Sequence, residues 1–587
     1  SSSITGAAVT YAAGGGGAVA LASNEIGGTY SSAYFGLGGS GIGGNGAIAG
    51  GLGSAATPNT GSGGGGGGYS PSSYLYTGGK GSNGVLYLVA TPGPALSTLA
   101  SGASLNRPVV IQPTFSVASG AVAVTACSVV DASGNSAGVS VTCSAASGTG
   151  SVSLTDLTFT SGTLGQVYTL IFTMSGADEV RQEITLWSMP SSLSISTGGA
   201  TSNYVWDGGT LMATSDNQAV TILNSDVQTK LNSTSLVLNA TGIINVYAAF
   251  TGTTSGNGVI FKSLQYAQAA STTLTTANGA VTIWNTNPNV ATGTTGITGV
   301  LFNTSSIINT NGGAITIGGG TNPLTTALTA EVGVNMGNYA KLQATGGNIS
   351  IRADSVLNAN LNTANDQMKG IYLSGGNVVS TTGNGTITIA SNGNGAANGY
   401  RGLGFAMAGA SAMTGNVSAA NGNITITGGN LSSGNVIPVA IGLPYNGASN
   451  YVQASGTGSV SVTGDGRGTT TTSTPSSNGA IYGVLMNYSY GFITSVDGNV
   501  SVTGYGGNTA ASTTVATGDS IGVYASGGQI QSTGLGSVTI YGQGGNIAGT
   551  VSGKNANSIG IYSSSWLGTT SNNLSVQGKS GTVSGAV

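Results

Sequence analysis

A chain of 587 residues with 5% charged residues, 105 glycines and no histidine must stay in solution through hydroxyl and amide groups, since an ordinary soluble domain is about a quarter charged. The net charge of −3 without a basic run excludes nucleic-acid binding, which needs cations against phosphates, and the missing histidine removes the commonest general base. No apolar run reaches the roughly 18 residues of a membrane-spanning helix, and the lack of an initiator Met and of a signal peptide predicts a processed or truncated piece of a longer precursor.

Residues 1–95 form the first region. Glycine runs at 14–17 and 63–68 and the pairs Gly38-Gly39, Gly43-Gly44 and Gly50-Gly51 punctuate it, and it closes on the strand phrase Gly84-Val85-Leu86-Tyr87-Leu88-Val89. Glycine runs usually mark a flexible linker, yet Tyr11, Tyr30, Tyr34, Phe35, Tyr69, Tyr74 and Tyr76 supply more aromatic content than a linker needs. Ile4-Thr5-Gly6 and Tyr11 ahead of a glycine run, with that closing strand, resemble the glycine-rich domains of bacterial surface proteins and phage fibres. The resemblance implies a packed module of side-by-side extended three-fold helices, in which glycine permits close approach.

Residues 104–192 read as a conventional β domain. Arg107-Pro108-Val109-Val110-Ile111, the run 121–130, Val139-Ser140-Val141-Thr142-Cys143, Val152-Ser153-Leu154, Tyr168-Thr169-Leu170-Ile171-Phe172 and the run 180–187 alternate with turn signals every 8 to 14 residues. That spacing predicts an immunoglobulin-like β-sandwich, with Asp178, Glu179, Arg181 and Glu183 on an exposed turn and strand face. The only cysteines, Cys127 and Cys143, flank the turn chemistry of Asp131-Ala132-Ser133-Gly134-Asn135-Ser136. A hairpin closing near Asn135 would set them opposite each other for a cross-strand disulfide, which points to an oxidising extracellular compartment rather than a metal site. Two buried free thiols are the alternative.

Residues 193–587 carry a repeat. After irregular early strands such as Leu211-Met212-Ala213 and Ala219-Val220-Thr221-Ile222-Leu223, which suit an end cap, a phrase of apolar, Ser/Thr, apolar residues returns nine times. Its first apolar residue falls at 281, 315, 349, 387, 424, 460, 500, 538 and 574, so the spacings are 34, 34, 38, 37, 36, 40, 38 and 36. A second phrase keeps time with it, as in Gly370-Ile371-Tyr372-Leu373 and Gly522-Val523-Tyr524, and a third lies between, as in Gly376-Asn377-Val378-Val379 and Gly528-Gln529-Ile530-Gln531. Alternation of period two makes each phrase a strand with one buried face. Three such strands per repeat bury their apolar faces only by stacking, which predicts an all-β, right-handed parallel β-helix. Glycine and asparagine at the corners suit bends with positive φ.

Chemistry is sparse in this composition. The acids of the solenoid, Asp216, Asp226, Glu331, Asp354, Asp366, Asp465, Asp497 and Asp519, read as scattered and out of phase with the repeat, whereas β-helical lyases and hydrolases cluster theirs. Asp354 and Asp366 with Arg352 and Lys369 come nearest to a cluster. No calcium repeat and no phosphate loop is present. The sequence therefore predicts no catalytic, cofactor or metal residues.

Gly370-Ile371-Tyr372-Leu373-Ser374-Gly375-Gly376 followed by Gly385-Thr386-Ile387-Thr388-Ile389 resembles the large secreted β-strand-repeat proteins related to filamentous haemagglutinin-like adhesins. The resemblance implies an extracellular, cell-surface protein. Two functions fit: a structural subunit polymerising head-to-tail with copies of itself into a filament, sheath or matrix fibre, or a monomeric adhesin binding surface glycans. For the adhesin, Tyr372, Tyr482, Tyr488, Tyr490, Tyr524, Tyr541, Tyr562 and Trp566 are candidate sugar-stacking platforms.

Overall fold

The structure is a computed structural model. It describes residues 15–16, 37–39, 43–47, 52–57, 62–67, 78–81, 95–98, 103–104, 114–136, 140–143, 146–153, 157–174, 179–286, 298–355, 368–393, 402–407, 415–430, 439–443, 450–467, 470–471, 480–487, 491–509, 519–548 and 557–584. The chain divides into two compact units, Ser1–Gly93 and Pro94–Val587.

In the first unit the described glycine segments are joined by backbone bonds between segments. Gly16 N–H donates to Gly44 C=O (2.8 Å), Gly44 N–H to Gly63 C=O (2.9 Å) and Gly66 N–H to Gly16 C=O (3.0 Å). At Gly78 an added Cβ would lie 3.0 Å from the Gly65 carbonyl oxygen, so the backbones themselves are in contact. The closing phrase 84–89 lies outside the described residues.

The second unit opens with a largely antiparallel six-stranded sheet and a separate two-stranded sheet. One long strand, Thr114–Asp131, takes in the expected run 121–130 and extends it towards the N-terminus, and it pairs with Ala146–Ser153 and Val167–Met174. A register shift between Ser116 and Ala121 lets it serve both the early and late parts of the sheet. Phe159, Leu170, Phe172 and Leu186 are fully buried here. The expected strand 107–111 and Asp178 lie outside the described residues, and Glu179 pairs with Arg181 at 2.8 Å on the surface.

The cysteine hairpin is corrected. The chain does reverse at 131–135, where Asp131 N–H bonds Asn135 C=O (2.8 Å) and Asp131 Oδ1 accepts from Ser133 N–H (2.8 Å). The two arms then part: Cys127 faces Phe172 in the six-stranded sheet, and Cys143 faces Leu157 in the two-stranded one. Cys127 is disulfide-bonded; the Cys143 side chain lies outside the described residues.

From Ser192 the chain winds into a parallel β-solenoid. All nine copies of the first phrase stack in register, Val281 on Ile315 on Ile349 and so on to Val538 on Leu574, within a 14-stranded sheet. The second phrase forms a 12-stranded sheet, with Val300 on Val334 on Ile371, and the third a 10-stranded sheet, with Ile308 on Leu342 on Val379. Their inward residues make one continuous apolar column. Variation in the period is confined to two corners. From Leu274 onward the step from third-sheet to first-sheet core residue is always seven or eight positions, as in Ile308 to Ile315 or Ile530 to Val538.

Many glycines expected at positive-φ bends lie inside strands instead. Gly504 and Gly542 of the first sheet face Gly522 and Gly560 of the second. A Cβ on Gly522 would lie 2.6 Å from the Gly560 oxygen and 2.7 Å from the Gly504 oxygen, and closer still to Gln543 N. The two sheets meet there backbone to backbone. Corner asparagines likewise serve a different purpose, because Asn348, Asn423 and Asn499 each accept, through Oδ1, a backbone N–H of the next coil at 2.9 Å.

Strand patterning missed two features: a short fourth parallel sheet through Thr470–Thr471, Asn508–Thr509, Ile547–Ala548 and Val583–Ser584 in the later coils, and a helix in the early region. The helix Asn224–Leu231 buries Val227 and Leu231 in the core column, packs on Ala219–Leu223 and Phe250–Thr251, and closes the N-terminal end of the solenoid. Gln228 Oε1 and Asn232 Oδ1 accept the N–H groups of Thr251 (3.1 Å) and Thr253 (2.7 Å).

Candidate functional site

Along the first sheet the residues between core positions point outward in columns. One column is hydroxyl throughout, from Thr282 and Thr316 to Thr539 and Ser575. The next two contain the charged groups. Arg352 heads a column through Ala390, Thr427 and Thr463. Beside it, Asp354 leads to Asn392, Gly429 and Asp465.

Where these columns meet the crossing segment 325–327 they line an open groove of about 490 Å³. Gly429 keeps its floor low, since a Cβ there would meet the Asn392 side chain. Arg352 Nε donates to Leu324 C=O at 2.6 Å, which ties the guanidinium to the crossing segment, and its Nη atoms have no partner among the described residues. Asp354 Oδ1 accepts from both Asn392 N–H (2.8 Å) and Asn392 Nδ2 (3.1 Å). Burial pushes the Asp354 carboxyl up from the usual carboxylate range, and the two bonds from Asn392 only partly offset this. Asp465 is held by a fork, Arg467 Nε to Oδ1 (2.9 Å) and Nη2 to Oδ2 (2.7 Å), and that bonding holds its carboxyl low. The Arg467 guanidinium in turn lies 3.9 Å from the Tyr505 ring centre. No group of three or more His, Cys, Asp or Glu side chains suited to a metal occurs among the described residues.

No family model, no curated protein and no solved structure matches this chain. Its site therefore rests on its own geometry.

The anticipated cluster splits. Arg352 and Asp354 share the groove, Asp366 lies outside the described residues, and Lys369 belongs to the second sheet, where it sits 3.4 Å from the Tyr372 ring centre. Burial there lowers the Lys369 ammonium to about 8. Two of the acids, Asp354 and Asp465, do share a place in the repeat, while the others do not recur in it. Asp354, Asn392 and Asp465 each stand five residues after the first apolar residue of their phrase (349, 387 and 460). Counting from the phrase, rather than searching for acids, would have found them.

The tyrosines form ladders rather than isolated platforms. On the second sheet, Tyr482 meets Tyr524 edge-on at 5.5 Å and Tyr524 stacks on Tyr562 at 4.9 Å. Burial, then Tyr524 and Asp519, pushes the Tyr482 phenol up to about 12. Tyr372, Tyr482 and Tyr524 cover a second small apolar cluster of Leu403, Ala406, Val439 and Leu485 outside the main column. Tyr541 packs on Tyr505 at 5.8 Å, and Trp566 on the third sheet is 53% exposed. Tyr488 and Tyr490 lie outside the described residues.

Proposed function

We propose that this chain is an extracellular structural protein, a self-assembling subunit of a bacterial surface filament, sheath or matrix fibre. The observation that carries this reading is the long in-register stack of coils whose outer surface is hydroxyl and amide, with two ion pairs in all among the described residues. Such surfaces approach one another without the charge repulsion that keeps ordinary domains apart. In this reading the solenoid is right-handed and related to the filamentous haemagglutinin-like proteins, the glycine-rich unit is a rigid packed module, and the domain that follows is immunoglobulin-like, with Cys127 and Cys143 joined. Because the helix Asn224–Leu231 closes one end of the column, a head-to-tail contact would run through the outer surface of that cap or the neighbouring β domain rather than through bare strand edges. Negative-stain electron microscopy of the purified chain at low and high concentration tests this. Filaments with a regular axial repeat are expected, and single short rods at every concentration would refute it.

A monomeric glycan-binding adhesin is the second reading, favoured by the exposed aromatics Tyr562 and Trp566 at the C-terminal coils. A glycan screen on rods that stay single would test it.

A further inference from the structure

The groove on the first sheet has no part in assembly as proposed above, yet its chemistry is specific. We infer that it is a binding site for an uncharged saccharide, taking one or two sugar rings of a neutral glycan. The inference stands whether or not the rods assemble.

Size comes first. A volume of about 490 Å³ falls within the range of roughly 300–1,000 Å³ usual for small-ligand sites, and the walls are Thr, Ala, Gly and polar side chains. No large apolar side chain lines it, only Ala and Thr methyls, so a hydrophobic peptide side chain would gain little there. Charge comes second. Arg352 and Asp354 bring one charge of each sign, and Asp465 is neutralised by the Arg467 fork. The local sum is near zero, so neither an anionic nor a cationic ligand gains from the field.

Directed hydrogen bonding decides the class. Vicinal hydroxyls pair best with planar groups that offer two parallel donors or acceptors. The groove presents such groups already oriented: the Arg352 Nη atoms and Asp354 Oδ2 have no partner among the described residues, while Arg352 Nε and Asp354 Oδ1 are tied to Leu324 and Asn392. Each side chain is therefore anchored by one atom and free at another, which lowers the ordering cost of binding. Coils repeat every ~4.8 Å along the axis, close to the advance of one pyranose ring, so a glycan laid along the axis meets Asp354 and Asn392, then Thr427, then Thr463 on successive coils.

The test uses the full chain and named probes: cellotetraose, chitotriose and lactose as neutral saccharides, and 3′-sialyllactose as the anionic one. Saturation-transfer NMR and calorimetry are run on the wild type and on Arg352→Ala, Asp354→Asn, Thr427→Trp and Tyr562→Ala. Thr427 faces outward, so tryptophan there fills the groove without entering the core column, and an unchanged circular dichroism spectrum and melting temperature certify the fold. At least one neutral probe is expected to bind, with little dependence on salt. Its affinity should fall by about tenfold in Arg352→Ala and Asp354→Asn, vanish in Thr427→Trp, and hold in Tyr562→Ala. Binding by none of the neutral probes, binding by 3′-sialyllactose alone, or full affinity in Thr427→Trp would each overturn the inference.

Discussion

Substituting Gly522 by alanine isolates the backbone contact between the first and second sheets. The new methyl would lie 2.6 Å from Gly560 O, 2.7 Å from Gly504 O and nearer still to Gln543 N. All three are main-chain atoms held in ladders, so no rotamer change relieves the overlap. Overpacking of a tight site costs about 1–3 kcal/mol, and three fixed neighbours place this variant near ~3 kcal/mol, less the ~0.4–1 kcal/mol that alanine gains by restricting the unfolded chain. Gly198 is the control, because a Cβ there meets nothing within 4 Å and no positive φ is required; Gly198→Ala should be neutral or stabilising by ~0.4–1 kcal/mol. The gap between the two variants, about 3 kcal/mol, corresponds to a roughly hundredfold change in local opening. Hydrogen exchange read by mass spectrometry on peptides covering Ser520–Ser526 and Val538–Gln543 measures it. Gly504→Ala should act on the same contact, so the double variant should lose less than the sum of the singles. If Gly522→Ala exchanges like Gly198→Ala, the sheets do not meet backbone to backbone and the role given to these glycines is wrong.

Other outcomes follow from buried polar groups. Burial lowers the Lys262 ammonium from 10.5 to about 8, so between those values the unfolded chain holds the proton that the folded chain has lost, and stability should rise with pH across that window. The full effect is roughly 3 kcal/mol at most, reduced by the Trp284 ring 4.1 Å from the ammonium, which favours the charged form; Lys262→Met should raise the melting temperature at neutral pH and flatten its rise above pH 8 in calorimetry. Asn377 is fully buried and bonds both Ala340 N–H and Met336 C=O at 2.9 Å, so Asn377→Leu should cost about 3 kcal/mol in denaturant titration, while Asn377→Asp, which sets a buried carboxylate against the Met336 carbonyl, should cost more than Asn377→Leu at neutral pH and recover part of that loss at acid pH, where the protonated carboxyl can donate. A Cys127–Cys143 pairing predicts one linked peptide pair in a non-reducing digest. Reduction should then destabilise the β domain by about 3 kcal/mol for a loop of that length and leave the protection of coils beyond residue 298 unchanged.

The solenoid was legible because its signal is redundant. Nine phrases at a steady spacing, each alternating Val or Ile with Ser or Thr, admit only stacking, and Val281 to Leu574 stack as that pattern requires. What the pattern could not convey was the reason for individual residues. A glycine in sequence looks the same whether it turns a corner or admits another backbone, and Gly504 and Gly522 do the second. The helix Asn224–Leu231 was overlooked although Val227 and Leu231 are four apart, with Asp226 in its first turn and Lys230 in its last. Its short length and the strand phrases on either side hid it. The turn between the cysteines misled as to strand pairing, because a turn between two strands does not oblige those strands to pair; Thr114–Asp131 finds its neighbours at 146–153 and 167–174 instead, and Cys127 is disulfide-bonded all the same. Half of the groove was visible as Arg352 and Asp354, but Asn392 and Asp465 join them only through register, a relation between coils that local inspection does not contain.

The cap formed by Asn224–Leu231 gives the molecule a direction of growth. Leu236–Asn239 joins Thr210–Ala213, Ile243–Val246 joins Ser192–Ser196 and Phe250–Thr251 lies on the helix, and every later coil pairs with one made from residues just before it. No strand of the stack waits on a partner far downstream, so closing each coil involves a loop of about one period and a modest entropy cost. Such a chain can be wound from its N-terminal end as it emerges from a ribosome or through a membrane pore, each coil serving as the mould for the next.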